Sequence, residues 1–121
     1  MIRRSVAVVS LAALAFLAAG CRSYRIDATV ENRSGAPVDL LEVDYPSASF
    51  GEDRLADGAD YHYRFEVRDS GPVKVQYTEH ATHIQRQATG PELQEKQVGQ
   101  LEIVLLPGGV IQFHPQLSGP S

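Results

Sequence analysis

Apolar and polar residues alternate in almost every segment after the first twenty residues, and this alternation restricts the fold more than any other feature. The clearest run places Tyr61, Tyr63, Phe65 and Val67 on one side, with polar residues between them. A period of two is the spacing of a β-strand with one buried face, and no segment here keeps the 3.6-residue period of a helix. The sequence therefore predicts an all-β domain.

Turn residues divide these runs into about seven short strands and one short edge segment, 47–51. The predicted strands cover, in chain order, 26–31, 41–45, 47–51, 61–68, 73–77, 83–89, 101–106 and 110–113. The runs 61–68 and 73–77 flank a compact turn, so they are expected to pair as an antiparallel hairpin. Short strands at regular spacing predict an antiparallel, Ig-like β-sandwich; the alternative is a small open β-barrel.

The first twenty residues have a different pattern. Arg3 and Arg4 precede an apolar run over residues 5–17, which is shorter than the ~20 residues that a membrane-spanning helix needs. Small residues follow, and the segment ends at Cys21, the only cysteine. A basic start, a short apolar run and a small-residue boundary are the three parts of an export signal. We therefore expect a cleaved, helical signal peptide over 1–20; the alternative is an uncleaved anchor helix.

The string Leu17-Ala18-Ala19-Gly20-Cys21 resembles the lipobox of bacterial lipoproteins, although its leucine lies four residues before the cysteine instead of three. The resemblance implies that a diacylglyceryl group modifies Cys21 and that acyl chains such as palmitate hold the protein in a membrane leaflet. Two chains bind a membrane stably, whereas one chain binds marginally. In the Gram-negative lipoproteins that this string resembles, an aspartate directly after the cysteine favours the inner membrane. Arg22 stands there instead, so the resemblance implies the periplasmic side of the outer membrane. The alternative is a chance cysteine after an ordinary signal peptide.

The expected organisation is a signal peptide over 1–20, a lipidated cysteine and tether over 21–23, a β-sandwich over 24–115 and a flexible tail over 116–121. The mature part has about 100 residues, which is the size of one domain. Removing Arg3 and Arg4 leaves 9 of the 11 basic residues against 15 acidic ones, a formal net charge of −6. This acidic balance argues against a nucleic-acid partner, because binding to phosphates needs basic residues.

The segment Glu79-His80-Ala81-Thr82-His83 is the best candidate for chemistry. Two histidines and a carboxylate within five positions could bind a divalent metal. On an extended strand His80 and His83 would point to opposite faces, so only a turn could bring them together. The alternative is an exposed polar turn.

The predicted hairpin carries a second candidate, a basic face opposite its aromatic residues. This face would meet an anionic partner and comprises His62, Arg64, Arg68 and Lys74. The alternative is an ordinary solvated sheet face. The aromatic residues are expected in the core, and an exposed face that binds a partner or a glycan is the alternative.

Nothing in the sequence indicates an enzyme or a bound cofactor. Ser-Gly pairs occur only in predicted turns, without the Gly-x-Ser-x-Gly context of a hydrolase nucleophile. The stretches 30–37 and 55–58, which hold Asn32-Arg33-Ser34-Gly35 and Leu55-Ala56-Asp57-Gly58, resemble sandwich modules of bacterial envelope proteins. The resemblance implies a small, non-enzymatic envelope lipoprotein that acts as a structural or protein-interaction module with an unknown envelope partner. The alternatives are a small ligand- or metal-binding lipoprotein and an inhibitor of an exported enzyme.

Overall fold

A computed structural model describes residues 24–119 of the chain. The expected signal peptide, Cys21 and the expected tether lie outside these residues, as do residues 120–121. Eight strands and one 3₁₀ turn (Pro107–Gly109) make up the fold. The strands are β1 (Ile26–Asn32), β2 (Val38–Tyr45), β3 (Ala48–Leu55), β4 (Asp60–Phe65), β5 (Gly71–Glu79), β6 (Gln85–Leu93), β7 (Val98–Leu106) and β8 (Val110–Ser118).

The strands form two four-stranded sheets that pack as a sandwich. The first sheet has the order β4-β1-β7-β8 and the second has the order β3-β2-β5-β6. All neighbouring strands are antiparallel except β1 and β7, which run parallel. The predicted all-β sandwich is confirmed, with eight strands, and within residues 24–119 the sheets do not close into a barrel.

The core consists of the inward-facing residues of both sheets. In β1 the alternation is regular, because Ile26, Ala28 and Val30 are buried while the residues between them are not. β7 is the most apolar strand, with Leu101, Ile103, Val104 and Leu105 all buried. Fully burying an aliphatic side chain of this size stabilises a fold by about 1.5–3 kcal/mol.

The predicted hairpin between residues 61–68 and 73–77 is wrong. β4 pairs with β1 in the first sheet, whereas β5 pairs with β2 and β6 in the second. Residues 66–70 carry the chain from one sheet to the other. Within this connection Val67 is buried, with 3% exposure. The alternation predicts which face of a strand is buried, but it does not predict which other strand pairs with it. A connection of this length can span either a tight hairpin or the ~10 Å between packed sheets.

Two strands continue through a proline beyond their predicted ends. β6 passes through Gly90 and Pro91 to Leu93, and β8 passes through Pro115 to Ser118. Both are edge strands, where a proline can sit without breaking the sheet because its missing N–H can face away from the neighbouring strand. The prediction of a tail over 116–121 is therefore wrong for residues 116–118.

The strand directions give the sandwich two ends. We define the N-terminal end by Tyr24, the β2–β3 turn, the connection 66–70 and the β6–β7 turn. We define the far end by the loops 33–37 and 56–59, the β5–β6 turn and the 3₁₀ turn. Two contacts support this alignment of the sheets: Tyr45 stacks on Phe65 with ring centroids 4.2 Å apart at one end, and Gly58 N donates to Asn32 O at 2.8 Å at the other.

Candidate functional site

The predicted basic face does not form one surface in the structure. His62 and Arg64 lie on the exposed side of β4 in the first sheet, and Arg68 lies in the connection that follows. Lys74 lies on the exposed side of β5 in the second sheet. The outer faces of the two sheets point in opposite directions, so a single flat partner cannot contact all four residues. The proposed grouping depended on the incorrect hairpin.

The basic residues of the first sheet have partners of their own. Arg64 Nε donates to Asp27 Oδ1 at 2.7 Å, and this hydrogen bond raises the pKa of Arg64. His62 Nδ1 lies 3.0 Å from the hydroxyl of Thr29. Exposed ion pairs of this kind contribute little to stability. The carboxylate of Asp27 nevertheless offsets the positive charge that Arg64 contributes to the outer face of β4.

His80 and His83 lie in the same tight turn, which is the arrangement that the metal hypothesis required. Glu79 N donates to Ile84 O at 2.8 Å, and His83 N donates to Glu79 O at 2.8 Å. His83 has a φ of 61°, in the left-handed region. The turn therefore brings both histidines to the far end of the sandwich.

The side chain of His80 is held by the second sheet. Its Nδ1 lies 2.7 Å from Asp39 Oδ2, and Arg54 Nε donates to Asp39 Oδ1 at 2.8 Å. The bonds from His80 and then Arg54 lower the pKa of Asp39, so this carboxylate is ionised at neutral pH and can only accept. Nδ1 of His80 therefore carries the proton, and Arg54 Nη2, at 3.2 Å from it, makes a contact without a hydrogen bond.

The third residue of the metal hypothesis is also engaged. Glu79 Oε2 accepts from Arg86 Nε at 2.9 Å. Within residues 24–119, no group of three His, Cys, Asp or Glu side chains is arranged to hold a metal ion. The turn thus presents one histidine bonded to Asp39, one exposed histidine and one carboxylate paired with arginine.

Asn32 is the one buried polar side chain among the described residues, with 0% exposure. Its Nδ2 donates to Leu55 O at 3.0 Å, to Ala56 O at 3.1 Å and to Ala36 O at 2.9 Å. Its Oδ1 accepts from the hydroxyl of Ser34 at 2.7 Å and from Ser34 N at 3.1 Å. Asn32 therefore ties the loop that follows β1 to the loop that follows β3. These are the two stretches that carried the resemblance to envelope modules.

Sequence reasoning treated Asn32 only as a turn residue. A signal for its burial was present, because Asn32 continues the register of Ile26, Ala28 and Val30 and so faces the core. A polar residue in a buried register must find hydrogen-bond partners. All of its polar atoms are bonded within the protein, so Asn32 organises the loops and is not free to bind a ligand.

Two carboxylates lie side by side on the outer face of the first sheet. The pKa of Glu31 is raised, and the largest cause is a hydrogen bond with Glu102 that forms when one of the two carboxyls is protonated. Partial burial and the charge of Glu102 raise this pKa further, while Arg33, with Nη2 3.5 Å from Glu31 Oε1, lowers it. Both carboxylates line a shallow hollow of about 500 Å³.

Leu40 was not anticipated as a surface feature. It has a φ of 51°, and its side chain is 65% exposed on the outer face of the second sheet. The β2–β5 register shifts between Asp39 and Glu42, so Leu40 lies in a β-bulge. On the neighbouring strand β3, Gly51 pairs with Glu42 and allows a close approach of the two strands, since a Cβ there would lie 2.1 Å from Leu41 O.

Leu40 borders a shallow hollow of about 430 Å³ that has an acidic lining. Glu42, Glu52 and Asp53 line it, and no basic residue does. Glu42 Oε2 accepts a hydrogen bond from the neutral amide of Gln76 at 2.6 Å. The hollow thus combines an exposed aliphatic side chain with carboxylates that have no cationic neighbour in its lining.

No protein-family model matches the chain, and no curated protein or solved structure is significantly similar to it. Among residues 24–119 no helix has the length and hydropathy to cross a membrane.

Proposed function

We propose that the protein is a lipid-anchored lipoprotein of the bacterial envelope, which acts without enzymatic chemistry as a structural or protein-interaction module. The observation that carries this proposal is the N-terminal sequence, in which a basic start, a short apolar run and small residues end at the lone Cys21. The periplasmic side of the outer membrane is the proposed location in a Gram-negative cell.

The position of the folded domain in the chain supports an anchor at Cys21. β1 begins at Ile26, so four residues separate the cysteine from the first strand. An extended chain spans at most ~3.6 Å per residue, and such a tether would reach only about 15 Å. The N-terminal end of the sandwich would then lie close to the lipid surface, and the far end would point away from it.

The side chains with chemical potential favour a non-enzymatic role. Asp39 and His80 bond to each other, Glu79 pairs with an arginine, and the polar atoms of Asn32 are all satisfied. An enzyme brings reactive groups together in a pocket that excludes water. Both hollows described above are shallow and open on outer sheet faces, which suits contact with another macromolecule better than catalysis.

The anchor is tested with full-length Cys21→Ser expressed in a bacterium that is fed labelled palmitate. We expect the unmodified protein to incorporate the label and to fractionate with membranes, and the variant to do neither. Arg22→Ser is the matched control, because it alters the adjacent residue and keeps the thiol. If Cys21→Ser is still cleaved correctly and stays membrane-bound, the proposed function is wrong.

A further inference from the structure

We propose that the Leu40 hollow, formed by Leu40, Glu42, Glu52 and Asp53, is a docking surface for a basic segment of another protein that carries an aliphatic side chain. This inference rests on the interaction role proposed above and names the surface and the chemistry of the partner. It does not depend on the lipid anchor.

Leu40 is the most exposed large hydrophobic residue among residues 24–119. Its exposure of 65% compares with 49% for Val110 and 46% for Ile84, the next two. β2 lies between β3 and β5, so Leu40 projects from an interior strand and not from a fraying edge. Because β2 is paired on both sides, Leu40 has a fixed position on the surface of the sheet.

The backbone at Leu40 is unfavourable for leucine. A positive φ of 51° is a conformation that glycine or asparagine adopts more readily than a bulky residue. The bulge turns both Asp39 and Leu40 away from the core, since Val38 and Leu41 on either side are buried. A leucine that is strained and solvent-exposed at once does not contribute to packing the core, and such outliers are often found at functional sites.

The acids beside Leu40 define the charge of the partner. Glu52 and Asp53 take part in none of the ion pairs found within residues 24–119, and Glu42 bonds only to a neutral amide. By contrast, Asp39 and Glu79 nearby are each paired with an arginine. An apolar centre with a charged rim is the usual anatomy of a protein interface, and rim charges select partners of the opposite sign.

The location of the hollow suits a partner approaching from solvent. Leu40 lies near the start of β2, where Val38 pairs with Glu79 at the beginning of the β5–β6 turn. Ile84 and Val110 also lie toward this far end. The three most exposed large hydrophobic residues are therefore remote from Tyr24, where the chain enters the domain.

Other occupants fit less well. A second copy of the chain docking through the same surface would place three carboxylates against three more, which is repulsive. A divalent cation would use the carboxylates and have no use for Leu40. These alternatives predict different results in the following experiment.

The test uses the full-length chain, in phosphatidylcholine nanodiscs if it purifies with lipid and in buffer if it does not. The probe is a fluorescent heptapeptide with one leucine between two pairs of lysines and glycine at each end. We expect saturable binding with a Kd below about 1 mM, after subtraction of empty nanodiscs, and a loss of about tenfold for Leu40→Ser. Glu52→Lys with Asp53→Lys should cause a similar loss, and replacing the leucine of the peptide by serine should weaken binding to the unmodified protein.

The matched controls are Val98→Ser, which removes an exposed hydrophobic residue near the N-terminal end, and Glu92→Lys with Glu95→Lys, which makes the same charge change elsewhere. Leu40→Gly separates binding from folding, because it should lose binding while its Tm is unchanged or higher. Any of four results would overturn the proposal. The peptide does not bind, the two charge-reversed variants lose equal affinity, or Leu40→Ser leaves the affinity unchanged. The fourth is that calcium alone binds at this site in place of the peptide. Membrane fractionation of the same preparation reports on the anchor separately.

Discussion

Two residues show how the fold treats polar and apolar side chains outside the simple alternation. Asn32 is polar and completely buried, whereas Leu40 is apolar and largely exposed. The sequence could have indicated the first, because Asn32 stays in the buried register of β1. It could not indicate the second, because exposure of Leu40 follows from a register shift against β5, a strand more than thirty residues later.

Asn32→Ala should destabilise the protein by about 2–4 kcal/mol. The change removes the Nδ2 donor to the carbonyls of Ala36, Leu55 and Ala56 and the Oδ1 acceptor for Ser34, and it leaves a cavity at a fully buried position. Urea denaturation measured by circular dichroism gives the change in the free energy of unfolding.

Ser34→Ala is the control for Asn32→Ala. It removes the hydroxyl that donates to Asn32 Oδ1 but keeps the three carbonyl contacts, so a smaller loss of about 1 kcal/mol is expected. Equal losses for the two variants would show that Asn32 does not organise both loops.

At the scale of strands, the sequence predicts which face of each strand is buried, but it does not predict which strands lie next to each other in a sheet. The alternation in β1 and the apolar run of β7 predicted which residues are buried, since a one-residue slip would expose a whole apolar face. It could not show that β1 pairs in parallel with β7, because that pair is distant in sequence. The same limit produced the incorrect β4–β5 hairpin, and with it the basic face.

β3 shows a different limit. The polar residues 52–54 predicted a loop after the edge segment 47–51, yet β3 continues to Leu55 because it is an edge strand that pairs on one side with β2. Edge strands tolerate charged residues, which discourage pairing with other chains. The candidate site was predicted in part: the turn that holds His80 and His83 was anticipated, and the bond from His80 to Asp39 was not.

Gly51→Ala should destabilise the protein by about 2–3 kcal/mol. A methyl group at residue 51 would lie 2.1 Å from Leu41 O, and relief requires movement of the β2 backbone at the bulge. Thermal unfolding and hydrogen exchange of the β2–β3 amides measure the effect, and the lost protection should be concentrated in these two strands.

Gly58→Ala distinguishes a steric clash from general intolerance of alanine. Gly58 has a φ of 77° with open space around its Cβ position, so the expected cost is only that of the backbone conformation, about 1 kcal/mol. If Gly58→Ala is as damaging as Gly51→Ala, close approach of β2 and β3 is not the reason for the glycine.

For the molecule as a whole, the two outer sheet faces respond to pH in opposite directions. On the second sheet, the pKa of Asp39 is lowered from its ordinary value of 3.8 by the hydrogen bonds from His80 and Arg54. On the first sheet, the pKa of Glu31 is raised from its ordinary value of 4.5 by the hydrogen bond with Glu102. Because a pKa shift on folding makes stability depend on pH, each face has its own pH window.

The signs of the two contributions follow from the direction of each shift. Asp39 binds its proton more weakly in the folded state, so its contribution is complete above pH 3.8 and is lost as the pH falls through the folded pKa. Glu31 binds its proton more tightly, so its contribution is present below pH 4.5 and is lost as the pH rises through the folded pKa. Together these groups favour the folded state most near pH 4 and less at neutral pH.

Glu31→Gln should therefore raise stability at neutral pH relative to the unmodified protein, and the gain should shrink as the pH falls toward 4.5. An amide keeps a donor for Glu102 at every pH and removes the repulsion between two carboxylates.

Asp39→Asn should show the reverse pattern, with a loss of stability at neutral pH that disappears in acid, because protonated Asp39 no longer pairs with Arg54. Urea midpoints between pH 3 and pH 8 measure both curves, with Glu95→Gln, at an exposed turn residue, as the control. Parallel curves for all three variants would mean that neither face governs the pH dependence of folding.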